Sequence, residues 1–513
     1  MGQCLAAPAE INKDAKRILS LVRHGGSSLG NARMVSHIDL WEEFTLGGSE
    51  KIVLGEGLNG PVLKIFSKKD PNLCFALKEI RTVNAQNTGG PSNSVLVGLV
   101  LNELEVVLQL DHFHIARVYE VYESSASVFL ITELCRGGEL YTKLEQVKRF
   151  NEIETTFIVS QILKAVNYMH NLDIIHGDLK LENFLFSNKL EPGSSIFKSP
   201  LKLIDFGFSH LGSSARRANL LCGSPQYMAP EKGEGETTKS DMWSVGVITF
   251  MLLTGKAPFK AAKSIEEMQR IFSANSSKIS MGFRAGLEKF SISLDAIDFV
   301  ARLVEFDPEK RMSARDALSH RWLAGMELRR THSRLSVVSD LKQCIELLVE
   351  FSELGPLRRA SIGLISMYGP PLMTLRSAPA VFDAIDTNND GFIQFDELES
   401  VLAKSTAETV FNAVDLVGDG RINFSEFIAA TDVYLTIKIT TEKLPASYEA
   451  IIESVFRKLD VDNSGFISES NLLALFGRKG YKGTRTRDLI KEGDFVGDGV
   501  ISLNEFFSLI HNG

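Results

Sequence analysis

The sequence lacks the features that mark secreted, metal-clustered and membrane-spanning proteins. It has only five cysteines in 513 residues, and their scatter matches no metal-binding spacing, which is typical of a protein from a reducing cytosol. The longest apolar run, around residues 242–253, is too short to span a bilayer and predicts a buried helix. No basic segment followed by an apolar one opens the chain, so we expect no secretion signal.

A strong charge of either sign is also missing. The 56 Lys and Arg residues against 64 Asp and Glu give a net charge of -8. This mild acidity disfavours nucleic-acid binding, because phosphates attract basic faces. The length predicts about two to four domains, each with its own core.

The first residues, MGQCLA, do carry a signal. Gly2 and Cys4 are arranged as in proteins that carry a myristoyl and a palmitoyl chain, and two chains anchor a protein stably where one does not. Ala6 stands where the usual motif has serine or threonine, so an unmodified terminus is the alternative. We expect a cytoplasmic monomer, held at the cytosolic face of a membrane if it is acylated.

Changes of pattern divide the chain into four regions. Residues 1–47 have the glycine and serine clusters of a flexible leader. Residues 48–323 alternate strand-like and helix-like patterns, enough for one two-lobed domain. Residues 324–375 are helical, with an interruption at Pro356. Residues 376–513 repeat Asp- and Gly-rich loops that end in an acidic residue.

A glycine-rich segment, LGEGLNGPV, predicts a nucleotide site. A lone GxGxxG is weak evidence, because a dinucleotide fold has the same spacing at a strand-to-helix turn. Here a second strand-like stretch follows, which indicates a flap between two strands whose backbone can approach phosphates. The predicted nucleotide contacts are Leu54, Gly55, Glu56, Gly57, Gly60, Val62 and Ala76.

A lysine and a hinge complete the predicted nucleotide site. Lys78 follows three apolar residues in a strand, so we expect it to hold phosphates and to pair with Glu103 of the next helical segment. The alternative for Lys78 is a solvated strand lysine. The strand-like FLITEL then predicts a hinge at the adenine, with Thr132, Glu133 and Leu134.

Further motifs follow in order: HGDLKLEN, LIDFGFS, SPQYMAPE, SDMWSVG and, later, Arg311. With these motifs, residues 48–323 resemble a eukaryotic-type protein kinase domain, and the resemblance implies an α+β fold of two lobes. It also implies that Asp178 accepts the proton of the attacking hydroxyl and that Lys180 steadies the transferred phosphate. Asn183 and Asp205 then hold the magnesium ions that bridge the phosphates of ATP, because magnesium prefers oxygen ligands.

One position departs from this pattern. Gly177 stands where most kinases have an arginine that pairs with a phosphorylated residue of the activation loop. The loop FSHLGSSARRANLLCG has no acidic residue that could mimic a phosphate. We therefore expect that loop phosphorylation, at Ser209, Ser213 or Ser214, is not the switch. The alternative is a pseudokinase scaffold, which the intact catalytic residues disfavour.

Two carboxylates indicate the substrate class. Glu139 and Glu182 match positions that, in related kinases, receive arginines upstream of the target serine, and charge-assisted pairing favours guanidinium groups there. The alternative is that both carboxylates are structural. Lys180 marks the serine/threonine type, so we expect protein substrates with basic residues near the target serine.

The C-terminal repeats resemble EF-hand calcium loops at 386–397, 415–426, 460–471 and 494–505. The first fits at every position. The second and the fourth have valine at loop position 3, and the third has Asn471 in place of the bidentate glutamate, so these three are either weak sites or structural hands. The predicted ligands are Asp386, Asn388, Asp390, Phe392, Gln394 and Glu397 in the first loop; Asp415, Asp419, Arg421 and Glu426 in the second; Asp460, Asp462, Ser464 and Phe466 in the third; Asp494, Asp498, Val500 and Glu505 in the fourth.

A kinase domain, a helical junction and four EF-hands in this order resemble the calcium-dependent protein kinases of plants and apicomplexans. The resemblance implies ATP, Mg²⁺ and Ca²⁺ as cofactors, and an α+β two-lobed kinase domain followed by an all-α EF-hand regulatory domain. It further implies a junction that inhibits the kinase until calcium lets the hands grip it.

The junction contains LRRASIG, at residues 357–363, which resembles a substrate of a basic-directed kinase. Ser361 is then either an autophosphorylation or pseudosubstrate site, or part of an amphipathic helix that faces the hands and leaves its arginines in solvent. We favour the amphipathic helix, because calcium-sensor lobes commonly bind basic amphipathic helices.

Overall fold

A computed structural model describes residues 35–36, 40–48, 51–57, 60–81, 93–124, 127–190, 195–212, 224–232, 236–259, 264–275, 279–324, 334–369, 374–440, 446–477 and 480–512. The acylation signal at Gly2 and Cys4, and the loop serines 213 and 214, lie outside the described residues. Among the helices of the described part, none combines the length and apolarity needed to cross a bilayer.

The small lobe is a twisted sheet with one helix. Its strands run in the order β1-β6-β7-β5-β4-β2, with β3 paired to β4, and every pairing is antiparallel except that of β1 with β6. The elements are β1 Val35–Ser36, α1 Leu40–Glu43, β2 Phe44–Thr45, β3 Val53–Gly57, β4 Gly60–Ser67, β5 Cys74–Arg81, α2 Asn93–Val107, β6 Val118–Glu123 and β7 Ser127–Thr132.

Part of the expected leader is built into this sheet. Leu40 and Phe44 are buried, and the Phe44 ring packs edge-on against Phe75 and Tyr122 at centroid distances of 5.6 and 6.1 Å. These apolar side chains cover an edge of the sheet that would otherwise expose aromatic surface to water. The flexible leader predicted for residues 1–47 therefore extends too far, since the described residues from 40 onward are structured.

The large lobe is mainly helical. The buried helix predicted around residues 242–253 is confirmed as α5, which begins after a capping box at Thr237 and ends at Gly255 in the left-handed conformation. The elements are α3 Leu140–Val147, α4 Glu152–Asn171, β8 Ile174–Ile175, β9 Phe184–Phe186, β10 Leu201–Leu203, β11 His210–Leu211, α5 Thr238–Thr254, α6 Ile265–Asn275, α7 Ile279–Glu288, α8 Leu294–Leu303 and α9 Ala314–Leu318.

In its described residues the C-terminal region is helical apart from one two-residue strand pairing and isolated bridges, which agrees with the predicted all-α class. Two junction helices are separated at Pro356, which takes the first position of the second helix, where its missing N–H is harmless. The elements are α10 Arg334–Ser352, α11 Pro356–Tyr368, α12 Ala378–Ile385, α13 Phe395–Glu399, α14 Lys404–Val414, α15 Phe424–Ile428, a π-helical turn Ala429–Val433, α16 Tyr434–Ile439, α17 Ala446–Leu459, β12 Phe466–Ile467, α18 Glu469–Phe476, α19 Thr486–Gly493, β13 Ile501–Ser502 and α20 Leu503–Asn512.

The junction helices and the hands share one apolar core, which includes Phe351 and Ile365. This unit packs on the kinase behind the hinge. Arg117, whose backbone N–H donates to the hinge carboxylate of Glu133, donates from its guanidinium to the carbonyl of Ser366 in α11 at 2.7 Å. The junction therefore lies against the back of the kinase domain in this structure.

Candidate active site and calcium loops

The glycine-rich flap is the hairpin of β3 and β4. Gly55 pairs with Val62, and Gly57 pairs with Gly60. Leu54 is 44% exposed, and a Cβ added at Gly55 or at Gly60 would meet no atom within 4 Å. The flap thus leaves open space beneath its backbone, which is the shape that a polyphosphate requires.

Lys78 forms the ion pair that was predicted from the sequence. Its Nζ lies 2.7 Å from Glu103 Oε1 in α2 and 2.7 Å from Asp205 Oδ1. Although burial alone would lower the pKa of Lys78, these two carboxylates raise it above its ordinary value, so the ammonium is held charged. For Asp205, burial alone would raise the pKa, but the positive charge of Lys78 lowers it below its ordinary value. The alternative of a solvated lysine therefore does not apply.

The hinge offers fewer backbone donors than its length suggests. The amide of Glu133 donates to the Arg117 carbonyl at 2.8 Å, and the Glu133 carboxylate pairs with Lys202 at 2.9 Å. The amides of Leu134 and Cys135 are left as the hinge donors for adenine. Cys135 is an addition to the predicted hinge residues, because the sequence does not show which amides are used internally.

The catalytic loop holds its groups at hydrogen-bonding distances. Asp178 accepts from Lys180 Nζ at 2.7 Å and from the backbone amide of Ser224 at 2.7 Å. Asn183 donates from its amide nitrogen to the Asp178 carbonyl at 2.9 Å, which leaves its amide oxygen as a ligand. Asp205 has φ 62°, a strained value for a residue other than glycine that is found at functional sites. These residues could bind a hydroxyl, two hard cations and a phosphate.

The two predicted substrate carboxylates lie close enough to influence each other. Burial, and then the charge of Glu182, raise the pKa of Glu139. The Tyr227 hydroxyl lies 3.4 Å from Glu182 Oε2. Since Glu139 is exposed, a cationic side chain from a peptide could reach both groups.

All four calcium loops have the same backbone shape. Positions 4 and 6 have positive φ in each loop, and the position 1 aspartate accepts hydrogen bonds from the amides of positions 5 and 6. The loops are joined in two pairs through position 8, at Ile393 with Ile422 and at Ile467 with Ile501. The sequence differences therefore change the ligands while the backbone stays the same.

The first loop fits calcium best. Burial, together with the neighbouring carboxylates of Asp390 and Glu397, raises the pKa of Asp386 to about 7. Glu397 accepts from the amides of Thr387 and Gln394 and so joins the two ends of the loop. Crowded carboxylates whose pKa values burial raises are the donor set that a calcium ion neutralises.

The second and third loops differ from the first in the contacts of their predicted ligands. In the third loop, Asn471 reaches the amide of Ser468 at 2.8 Å, whereas the glutamates of the other three loops also reach the amide of position 2 or 3. In the second loop, Arg421 pairs with Asp419 at 3.0 Å and Lys482 lies 4.0 Å from Asp415. Two of the predicted ligands of this loop are thus already paired with, or close to, positive side chains of the protein, which would compete with a calcium ion.

The first loop also contacts the kinase directly. Asn167 in α4 donates from its side-chain amide to the carbonyl of Asn389, and the Tyr168 ring lies 5.3 Å from the Phe392 ring. Phe392 packs with the kinase core rather than with the core of the hands. Ser425, at position 11 of the second loop, donates to Asp111 of the kinase at 2.7 Å.

The junction motif LRRASIG is enclosed by the hands. Ser361 is fully buried and its hydroxyl lacks a hydrogen-bond partner, so it is inaccessible to a kinase in this state. Leu357, Ile362 and Ile365 face the shared core, as the amphipathic interpretation predicted. The arginines, however, are not in solvent. Arg358 donates to the carbonyls of α20 at Ile510 and His511, because the open end of that helix offers acceptors.

The comparisons agree with this geometry. A family model of the protein kinase domain matches residues 49–323, and a model of the EF-hand domain pair matches residues 378–431 and again 449–510. The chain is therefore a protein kinase with a C-terminal EF-hand region.

Full-length relatives define the family more closely. The chain is 27% identical to Calcium-dependent protein kinase 5 of Plasmodium falciparum (isolate 3D7), over 99% of this chain and 85% of that protein. It is 31% identical to Calcium-dependent protein kinase 12 of Arabidopsis thaliana over 81% of each chain, and 31% identical to Calcium-dependent protein kinase 3 of Oryza sativa subsp. japonica over 78% of this chain and 69% of that one. The chain belongs to the calcium-dependent protein kinase family and is a serine/threonine kinase, which confirms the predicted resemblance and fold class.

Proposed function

We propose that calcium activates this kinase to transfer the γ-phosphate of ATP to serines, and less readily to threonines, near basic residues of substrate proteins. The observation that carries the calcium switch is the contact between the first calcium loop and α4. A kinase side chain, Asn167, binds the loop backbone at Asn389, beside the predicted ligands Asn388 and Asp390. Ion binding at the loop and docking on the kinase are therefore linked, and each favours the other.

The closed pair of Lys78 and Glu103 is the arrangement that phosphoryl transfer requires. In this state the hands hold the junction behind the hinge. When calcium leaves, the grip weakens and the junction becomes available to inhibit the kinase. Asn183 and Asp205 would hold magnesium ions, whose positive charge would neutralise the phosphates of ATP. The carboxylates of Glu139 and Glu182 support the basic preference.

The proposal extends to the place of action. We infer that the kinase works as a monomer in the cytoplasm, and that acyl chains on Gly2 and Cys4 hold it at the cytosolic face of a membrane. Mass spectrometry of the chain isolated from its own cells tests this, because an unmodified N-terminus contradicts the membrane association.

The central test is phosphate transfer by the purified chain to a serine peptide with upstream arginines, in calcium and in chelator. We expect phosphate transfer in the calcium buffer but not in the chelator, and no transfer by the Asp178→Asn variant in either buffer. A serine peptide in which alanines replace the arginines should be phosphorylated more slowly. The double variant Glu139→Gln and Glu182→Gln should reduce the difference in rate between the two peptides. Equal transfer in both buffers would contradict calcium control. No transfer by folded, ATP-binding protein would favour the pseudokinase scaffold.

A further inference from the structure

A buried ion pair lies beside Gly177. Lys232, directly after SPQYMAPE, is only 7% exposed and donates from Nζ to the carbonyl of Gly177. Glu236 Oε1 lies 3.2 Å from the same nitrogen. Lysine and glutamate are rarely buried unless they are paired, because an isolated charge loses its hydration in the interior. The two residues therefore form a unit.

This unit lies where a side chain at position 177 would point. A Cβ built on Gly177 would be 3.1 Å from the Phe208 carbonyl oxygen and 3.5 Å from Glu236 Oε1. An arginine at this position would thus start towards a carboxylate that Lys232 already neutralises. The cavity that these three residues help to line has a volume of about 10 Å³, which has room for one water molecule and not for a phosphate group.

The pair fixes the peptide that precedes the predicted catalytic base. The amide of Gly177 donates to Asp241 at 3.0 Å, and its carbonyl accepts from Lys232, so both peptide groups that flank Gly177 are held. Gly177 has φ 77°, a left-handed conformation that glycine adopts without strain but that brings no side chain to hold the loop. The restraint comes instead from buried neighbours.

The described part of the activation loop agrees with a restraint that needs no phosphate. Ser209 is fully buried, and its hydroxyl donates to the carbonyl of His176 at 3.2 Å. This serine therefore has a structural hydrogen bond in the closed site and is inaccessible to a kinase.

We propose that Lys232, neutralised by Glu236, is a positioning residue that replaces the missing arginine. Lys232 supplies the cation from the segment that follows SPQYMAPE, and Glu236 takes the place of a loop phosphate. The catalytic loop is thereby held in order without phosphorylation. This inference rests on the proposed kinase activity, but not on its dependence on calcium.

The test compares Lys232→Met, Lys232→Arg and a matched control, Lys239→Met. Lys239, in the first turn of α5, also donates from Nζ to a backbone carbonyl, that of Arg311, away from the catalytic loop. In saturating calcium, we expect Lys232→Met to lower kcat at least tenfold while KM for ATP stays within twofold. Lys232→Arg should stay within threefold of wild type in kcat. Lys239→Met should lower Tm without changing kcat.

The outcomes separate a positioning role from a structural one. The proposal is overturned if Lys232→Met keeps kcat within twofold, or if Lys232→Arg loses as much kcat as Lys232→Met. If Lys232→Met fails to fold, Glu236→Gln decides, because it keeps the lysine and removes only the opposing charge. We expect a lower kcat at unchanged KM, and an unchanged kcat overturns the proposal. Inactive wild-type protein would instead contradict the proposed function.

Discussion

Lys458→Met tests how strongly the hands hold the kinase. Lys458 in α17 lies 3.1 Å from Glu120 Oε1 on β6, and its ammonium is 4.2 Å from the centre of the Tyr368 ring in α11. The other oxygen of Glu120 accepts from the Tyr122 hydroxyl at 2.5 Å. Burial alone would raise the pKa of Glu120, but Lys458 and Tyr122 lower it, so the carboxylate stays charged inside the interface.

Removing Lys458 takes away the ion-pair partner of this buried carboxylate and leaves it the Tyr122 hydroxyl and the charge of Arg457, which is not within ion-pair distance. Breaking a buried ion pair from one side costs about 3–5 kcal/mol. The cost falls on the docked state, because Glu120 regains water when the hands leave. At about 1.4 kcal/mol per factor of ten, 3 kcal/mol shifts the docking equilibrium about 150-fold. If two calcium ions drive docking, the calcium concentration for half-maximal activity rises about tenfold.

The assay is peptide phosphorylation against free calcium. Lys69→Met is the control, because the pair of Lys69 with Glu453 also joins kinase and hands but is 36% and 41% exposed. Such a surface pair contributes about 0–1 kcal/mol, so its midpoint should move less than twofold. Adding Glu120→Gln to Lys458→Met should recover much of the loss. A midpoint for Lys458→Met no different from that of Lys69→Met would refute the reasoning.

Four further outcomes are expected. Beneath the first loop, burial lowers the pKa of His112 to about 3. When the hands leave the kinase, this pKa returns towards its ordinary value of 6.5. Docking is therefore strongest above pH 6.5 and weakens by up to about 1.4 kcal/mol for each pH unit below it. His112→Phe should flatten the pH dependence of the calcium midpoint, and an unchanged slope would count against this. Lys482→Ala should tighten calcium binding by the second loop in calorimetry. Asn471→Glu should add a calcium site in the third loop, seen as one more bound ion. A separate arginine-directed kinase should phosphorylate Ser361 of the Asp178→Asn protein in chelator and not in calcium; equal labelling would contradict the enclosure of α11.

The sequence was sufficient for features that depend on neighbouring residues. The catalytic loop and the calcium loops place their functional groups within a few positions of one another, so the spacing of these residues predicts their chemical roles. The sequence could not show the ion pair of Lys458 with Glu120, because a lysine on an amphipathic helix has the same pattern whether it faces water or another domain. The arginines of LRRASIG were predicted to be solvated for the same reason. Arg358 donates to carbonyls at the end of α20 and Arg359 to carbonyls at the end of α10, and backbone groups have no sequence signature.

The enclosure of α11 has a consequence for competition inside the cell. Because α11 is covalently tethered to the hands, it is present at an effective concentration of the order of millimolar. A free helical peptide at micromolar concentration cannot displace it, even if the peptide binds the isolated hands equally well. The sensor is thus insulated from the many amphipathic helices of other proteins, and its response reports calcium rather than the supply of competing targets.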